Sequence, residues 1–325
     1  MIPNASRNQV VHATMNSSYL WQHCKVMNLT VNMRLTSGST ESEKKEIQEF
    51  ADWILDIGNG KTRGKNEENA TVVFPDSMLI QETDDHVGSI ISETYPHLQQ
   101  NLWDAEFFQE RAILAPTHEM VDKINDRMLD LLQGDETLYQ SSDSVALDDE
   151  DTNFDDSIYT TDFLNGIRMS GLPHHAIKLK IGTPIMLMRN IDQKAGLCNG
   201  TRLQVHRLGV NVIEAKIISG GNVGKICAIP RMIVSPSETK MPFKLNRRQF
   251  PIQVCFGMTI NKRQGHTLSK VGLFLPKPVF SHGQLYVAMS RVKSKRGLKV
   301  LCLDKDDNYC NYTSNVVYKE VLCRI

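Results

Sequence analysis

The turn Asn261-Lys262-Arg263-Gln264-Gly265-His266-Thr267 gathers cations, a glycine and a threonine between two apolar runs. A strand feeding such a turn presents backbone N–H groups and positive side chains together, a combination suited to binding phosphate. A second stretch, Ser281 to Arg291, reads as a short helix that ends in arginine. Around both, residues 240–300 hold thirteen Lys or Arg and no Asp or Glu. Nucleic acid held by such a stretch would be released steeply as salt rises.

These residues need elements to position them. Phe250 to Ile260 is long and apolar enough for one buried strand, and Val271 to Leu275 for another, closed by Pro276 and Pro278. Leu298 to Leu303 reads as a strand returning to the same sheet. Ala112 to Ala115 is a further strand. After it come the turn Pro116-Thr117-His118 and a helix from Glu119 to Leu132, with Met120, Ile124, Met128 and Leu131 along one side. Helix is clearest over 40–58, where Thr40 and Glu43 form a capping box, Ile47, Phe50, Ala51, Ile54 and Leu55 recur at helical spacing, and Gly58 suits the C-cap. Val10 to Asn16 starts a helix, Cys24 to Leu29 reads as a short strand, and Thr71 to Phe74 as another. From Phe163 the pattern changes to short runs at 177–181, 184–188, 201–207, 211–218 and 224–229, broken by Gly and Pro. That spacing fits a small barrel-like all-β subdomain. The expected fold is α/β with a mostly parallel sheet and this β insertion.

Two stretches imitate chemistry. Gly60-Lys61-Thr62 looks like the end of a phosphate-binding P-loop, but the position five residues before its glycine is Leu55, inside the helix. Asp148-Asp149-Glu150 suggests a magnesium-binding strand end, yet it lies in residues 134–166, which hold ten acids and no Lys or Arg and read as a solvated loop. The formal net charge of +0 therefore averages two opposite fields and does not exclude a nucleic-acid partner. Seven cysteines without a CxxC pair read as reduced thiols of an intracellular protein, with no zinc or other metal site. No apolar run approaches the ~18–20 residues of a membrane span, and the first residues carry no apolar signal segment.

The segments TINKRQGHTL and SHGQLYVAMSRV, together with GTPIMLMRN and GLCNGTRL, resemble the Pif-type DNA helicases. The first two match motifs five and six of these superfamily-one enzymes, of the kind carried by Helitron transposons and abundant in plant genomes. The resemblance implies a RecA-like second motor domain, of the P-loop NTPase type, carrying an SH3-like β insertion. Residues 1–160 would form its first part, 163–235 the insertion and 240–325 the remainder.

By the same resemblance, Arg291 is the arginine finger and Arg34 a second arginine facing the nucleotide; a surface arginine after a strand is the other reading of Arg34. Gln264 and Gly265 would line the nucleotide side, while Lys262 and Thr267 would face the DNA backbone. Thr117 and Asn125 match a Thr turn and helix Asn that touch DNA, although His118 stands where the family has Asn and a simple helix cap explains Thr117 as well. Motif five departs from the common pattern at Arg263 and His266. The implied cofactors are ATP and Mg2+, held mainly by an N-terminal RecA-like domain in cis or in trans, and the implied partner is single-stranded DNA. The implied activity is 5'-to-3' unwinding coupled to ATP hydrolysis, in DNA repair, recombination, telomere maintenance or rolling-circle transposition, with a nuclear location. With neither P-loop nor magnesium-binding pair in its sequence, the chain alone is expected to hydrolyse ATP hardly at all. A non-enzymatic single-strand-binding module and a non-functional transposon remnant are the alternatives.

Overall fold

The computed structural model describes residues 6–14, 17–27, 40–61, 70–80, 84–146, 159–236, 241, 243–263 and 267–322. The chain forms two compact units, Met1–Tyr95 with Arg111–Val121 and Met258–Ile325, and Pro96–Glu110 with Asp122–Gly257.

The first unit is built on a sheet with strand order Gly257–Thr259, Arg111–Ala115, Lys270–Leu275, Leu298–Leu303, Tyr309–Cys310. The Lys270–Leu275 strand runs parallel to both of its neighbours, and Tyr309–Cys310 adds an antiparallel edge. Its central strands are mainly apolar, with Ile113, Leu114, Leu273 and Val300 fully buried, as strands covered on both faces require. The His86–Thr94 helix packs on three of them, so close that a Cβ at Gly272 would collide with the Thr94 hydroxyl.

The Glu41–Gly58 helix begins as its sequence dictates. Thr40 Oγ1 accepts from the Glu43 amide and Glu43 accepts from the Thr40 amide, both at 3.2 Å. Its end differs from expectation. The helix runs through Gly58 to an Asn59 cap, and the left-handed residue is Gly60, at φ 65°. The Gly60 amide bonds Ile57 O and the Lys61 amide bonds Asp56 O, which together make a Schellman ending. Gly60-Lys61 is therefore a helix terminus. Gly58 is needed for another reason: a Cβ there would lie 2.7 Å from the Tyr286 ring.

Other expectations are corrected. Cys24 to Met27 form no strand, and Asn28 and Leu29 lie outside the described residues. The first helix spans Arg7–His12, begun by a Ser6 capping box. The apolar run 250–260 is two strands in different sheets, Ile252–Val254 and Gly257–Thr259. Asn125 explains the break: its carboxamide oxygen accepts from the Gly257 amide at 2.8 Å, and its NH2 donates to Val254 O and Gly257 O.

The second unit is all-β in its sheets. Its five-stranded sheet has the order Ile252–Val254, Pro184–Leu187, Arg202–Leu208, Val212–Ile217, Ile226–Pro230 and is antiparallel throughout. Ile185, Leu187, Leu203, Val205, Ile213 and Ile217 fill its core. Two smaller sheets pair Met232–Val234, Lys244–Gln249 and Ser142–Ala146, and Thr137–Gln140 with Ala176–Leu179. The acidic tract is thus not all loop: two of these strands lie in it, while residues 147–158, including Asp148, Asp149 and Glu150, are outside the described residues.

Asp143, an acid of that tract, is buried and meets the equally buried Arg247 at 2.6 Å. The Arg247 guanidinium also donates to the carbonyls of Ile167, Pro173, Leu164 and Asn165. A buried pair survives only when its remaining donors are satisfied, and here four carbonyls do that. Removing one partner strands the other. Arg247→Met should cost about 3–5 kcal/mol in the unfolding of this unit, read by denaturant titration; a loss below about 1 kcal/mol would show the pair to be dispensable. Asn125→Ala, which leaves the Gly257 amide without its acceptor, should cost about 1–3 kcal/mol in the same titration.

Candidate functional site

Lys262 stands on a tight turn, Ile260–Arg263, that follows the Gly257–Thr259 strand and packs on the short helix Gln284–Met289. The lysine is half-buried. Gln264, Gly265 and His266 lie outside the described residues, as does Arg34. The chain is described again at Thr267, which is exposed. The next residue makes the link on which the site rests. The Leu268 amide donates to Arg291 O at 2.7 Å, and Leu268 pairs with Val292 in a parallel bridge. Thr267 and Arg291, twenty-four positions apart, are therefore held side by side by backbone.

Arg291 folds over the end of its own helix. Its Nε donates to Val287 O at 2.8 Å and its Nη2 to Ser290 Oγ at 2.7 Å. A guanidinium suits this place because the last turn of a helix exposes carbonyls without amide partners. The helix is six residues long instead of the eleven read from the sequence, since Gly283, at φ 70°, bars an earlier start. Gln284 is buried and holds the entry, its side-chain oxygen accepting from the amides of Phe280 and Ser281 at 3.1 and 3.3 Å. Tyr286 lies against Gly58. Both residues shape the helix that carries Arg291.

His282 and Tyr318 are residues that the motif reading missed. His282 Nδ1 accepts from the Tyr318 amide at 3.0 Å, which leaves the proton of the neutral ring on Nε2. The two rings stack 5.3 Å apart and 7° from parallel. Burial and then the Arg7 cation push the His282 pKa below its usual range, favouring that neutral ring. Histidine beside Gly283 was a visible signal; Tyr318, in a tail without any motif, gave none.

The remaining candidates separate. Thr117 follows the carboxyl end of the Arg111–Ala115 strand, whereas Thr267 precedes the amino end of the parallel Lys270–Leu275 strand. The register puts them at opposite ends of the sheet, about 20 Å of strand apart. Asn125, only 6% exposed, spends its carboxamide on the 254–257 backbone and turns to no ligand. Nor does the basic stretch belong to one unit: Lys244, Arg247 and Arg248 lie in the second, where Arg247 is neutralised internally, and the cations from Lys262 onward lie in the first.

Comparison with known proteins gives these elements a context. A PIF1-like helicase family model matches residues 1–68, and a model of the DNA helicase Pif1 2B domain matches residues 162–208. The ATP-dependent DNA helicase PIF1 of Homo sapiens is 37% identical over 132 residues, 39% of this chain and 20% of that protein. That of Danio rerio is 32% identical over 157 residues, 45% of this chain and 22% of the relative. The match thus spans about a fifth of the length of these curated relatives. Among solved structures, the Pif1 helicase of Candida albicans superposes with a TM-score of 0.56 at 20% identity, over 94% of this chain and 62% of that one. Bacteroides Pif1, solved in complex with ADP-AlF3 and ssDNA, gives 0.52 at 19% identity, over 91% and 55%. Both structures share the architecture of a RecA-like α/β domain with a β subdomain. With two family models, several curated relatives and this common fold in agreement, the chain is related to the Pif1-type DNA helicases.

Proposed function

We propose that the chain supplies the second motor domain of an ATP-dependent DNA helicase of Pif1 type, with Arg291 serving the nucleotide and Lys262 and Thr267 the DNA backbone. The observation that carries this reading is the Leu268–Arg291 backbone bond, which makes the DNA-facing and nucleotide-facing candidates neighbours on one rigid connection. The relatives are named as ATP-dependent DNA helicases, and one structural neighbour holds a nucleotide analogue together with single-stranded DNA. In this reading work is done where DNA is kept, in the nucleus.

The residues fit a phosphate group. Arg291 stays charged, and its planar fork matches two phosphate oxygens. To reach a γ-phosphate it exchanges its bonds to Val287 O and Ser290 Oγ, two contacts of about 0.5–1.5 kcal/mol each. An arginine finger is worth ~10³–10⁵ in rate, which converts to about 4–7 kcal/mol, so the exchange is favourable when charge develops there. Until then the two bonds hold the side chain in one place. Bound ATP with its Mg2+ would supply the reactive phosphoanhydride. In this reading the magnesium ligands belong to a companion RecA-like domain in cis or in trans; Mg2+ on a nucleotide needs only one or two carboxylates beside the phosphates. Gln264 and Gly265 on the nucleotide side, and Arg34 as a second cation, complete the proposal. Among the described residues no helix is long and apolar enough to cross a membrane.

Two measurements test it. With the companion domain present, Arg291→Ala should lower DNA-stimulated ATP hydrolysis by ~10³ or more while single-strand affinity stays within about twofold; an unchanged rate removes Arg291 from the reaction. Fluorescence anisotropy with single-stranded DNA should give a logarithmic salt slope near −0.7 per phosphate contact, reduced by about one contact in Lys262→Ala. Affinity that is flat with salt overturns the DNA face.

A further inference from the structure

A helix of six residues cannot hold its own direction, because nucleation costs more than so few bonds return. The direction of Gln284–Met289, and with it the position of Arg291, must be set at its two ends. The far end is fixed by the Leu268–Arg291 bond. The near end is fixed from a distance, by residues 315–320.

That segment is anchored repeatedly within the first unit. Asn315 Nδ2 donates to Ile57 O at 2.8 Å, at the close of the Glu41–Gly58 helix. Val316 O accepts from the Gly283 amide at 3.0 Å. Val317 is buried, and a Cβ on Gly60 would approach it to 3.2 Å. The Tyr318 amide bonds His282 Nδ1 while the rings stack. Arg7 lies over the Tyr318 ring, 5.1 Å from its centroid, and makes a two-pronged pair with Glu320 at 3.0 and 2.9 Å. Two consecutive residues at the helix entry, His282 and Gly283, are therefore gripped by two residues of one distant segment.

We propose that residues 315–320 form a positioning strap for Arg291, with His282 and Tyr318 as its clasp and Arg7 as the brace that holds Tyr318 in place. The proposal rests on the reading of Arg291 given above and adds how that arginine is aimed. Neither His282 nor Tyr318 touches the phosphate; each acts through the helix. Chemistry constrains the clasp to a neutral imidazole. A proton on Nδ1 would face the Tyr318 N–H head-on and add positive charge near Arg7. Arg7 and Glu320 are the charged groups about the clasp, with Lys319 turned to Gly60. Burial and Arg7 already depress the His282 pKa below the ordinary histidine value. For a histidine depressed on folding, the contribution is complete above the unfolded value and is lost as pH falls from there toward the folded one.

Hydrogen exchange of the full chain, read by mass spectrometry, tests the strap without catalysis. His282→Leu should speed exchange of amides 284–291 by tenfold or more and leave the peptide covering 111–115 unchanged. His282→Asn, whose side-chain oxygen replaces Nδ1 as acceptor, should stay within twofold of the parent. Corrected for intrinsic rates, protection of 284–291 should fall in the parent between pH 7.5 and 5.5 and show no such step in His282→Asn. If His282→Leu does not fold, Arg7→Ala, which removes the brace alone, should raise the same exchange by threefold or more. Equal exchange in the parent and His282→Leu, no change in Arg7→Ala where that variant is used, or equal loosening in His282→Asn and His282→Leu overturns the strap. The hydrolysis and salt assays decide the role of Arg291 separately, so the two readings fail by different results.

Discussion

One backbone hydrogen bond, from the Leu268 amide to the Arg291 carbonyl, organises the candidate site. The strand Lys270–Leu275 leaves from this point, and the following turn and helix bring the chain back to it. The parallel sheet therefore acts as a ruler. Its strand length fixes how far the chain travels before it returns beside its own starting residue. Because the bond uses main-chain atoms only, the departures from the common motif at Arg263 and His266 leave its donor and acceptor in place. Whatever those two side chains change is local chemistry, not the closure itself.

The protein uses the same residue type in opposite ways. In the second unit Arg247 and Arg202 are internal: one is neutralised by Asp143, and the other donates to Phe108 O and Cys255 O. In the first unit Arg291 is held at a helix end, where it can still be reached. Burying a guanidinium is costly unless acceptors come with it, and both internal arginines collect carbonyls from distant segments. Count and net charge report none of this. Only the neighbours distinguish a structural cation from one offered to a ligand.

The legible parts were those written in local chemistry. Thr40 and Glu43 announced a helix start, and the apolar run 271–275 a central strand. The two motif stretches do meet in the fold, through the Leu268–Arg291 bond. What failed depended on partners far away in the chain. Asp143 looks solvated among ten acids until Arg247, 104 residues later, covers it. The run 250–260 looks like one strand because Asn125, which breaks it, sits 132 residues from Gly257. Asn125 itself matches a contact motif in type while its amide is consumed by the protein's own backbone. The 315–320 segment carries no motif, and the two bonds by which it meets His282 and Gly283 use one amide and one carbonyl, groups that sequence does not advertise.

The interleaving of the two units bears on how the protein is made. The Arg111–Ala115 strand pairs with Lys270–Leu275, so its partner is synthesised 159 residues later. At about 5–20 residues per second a ribosome takes roughly 8–30 s to cover that interval. During it the second unit can gather its own antiparallel sheet, while Ile113 and Leu114 wait without a neighbouring strand. Nascent chains of this protein should therefore depend on holdase chaperones late in translation, and a slowed ribosome beyond residue 121 should lengthen the vulnerable interval.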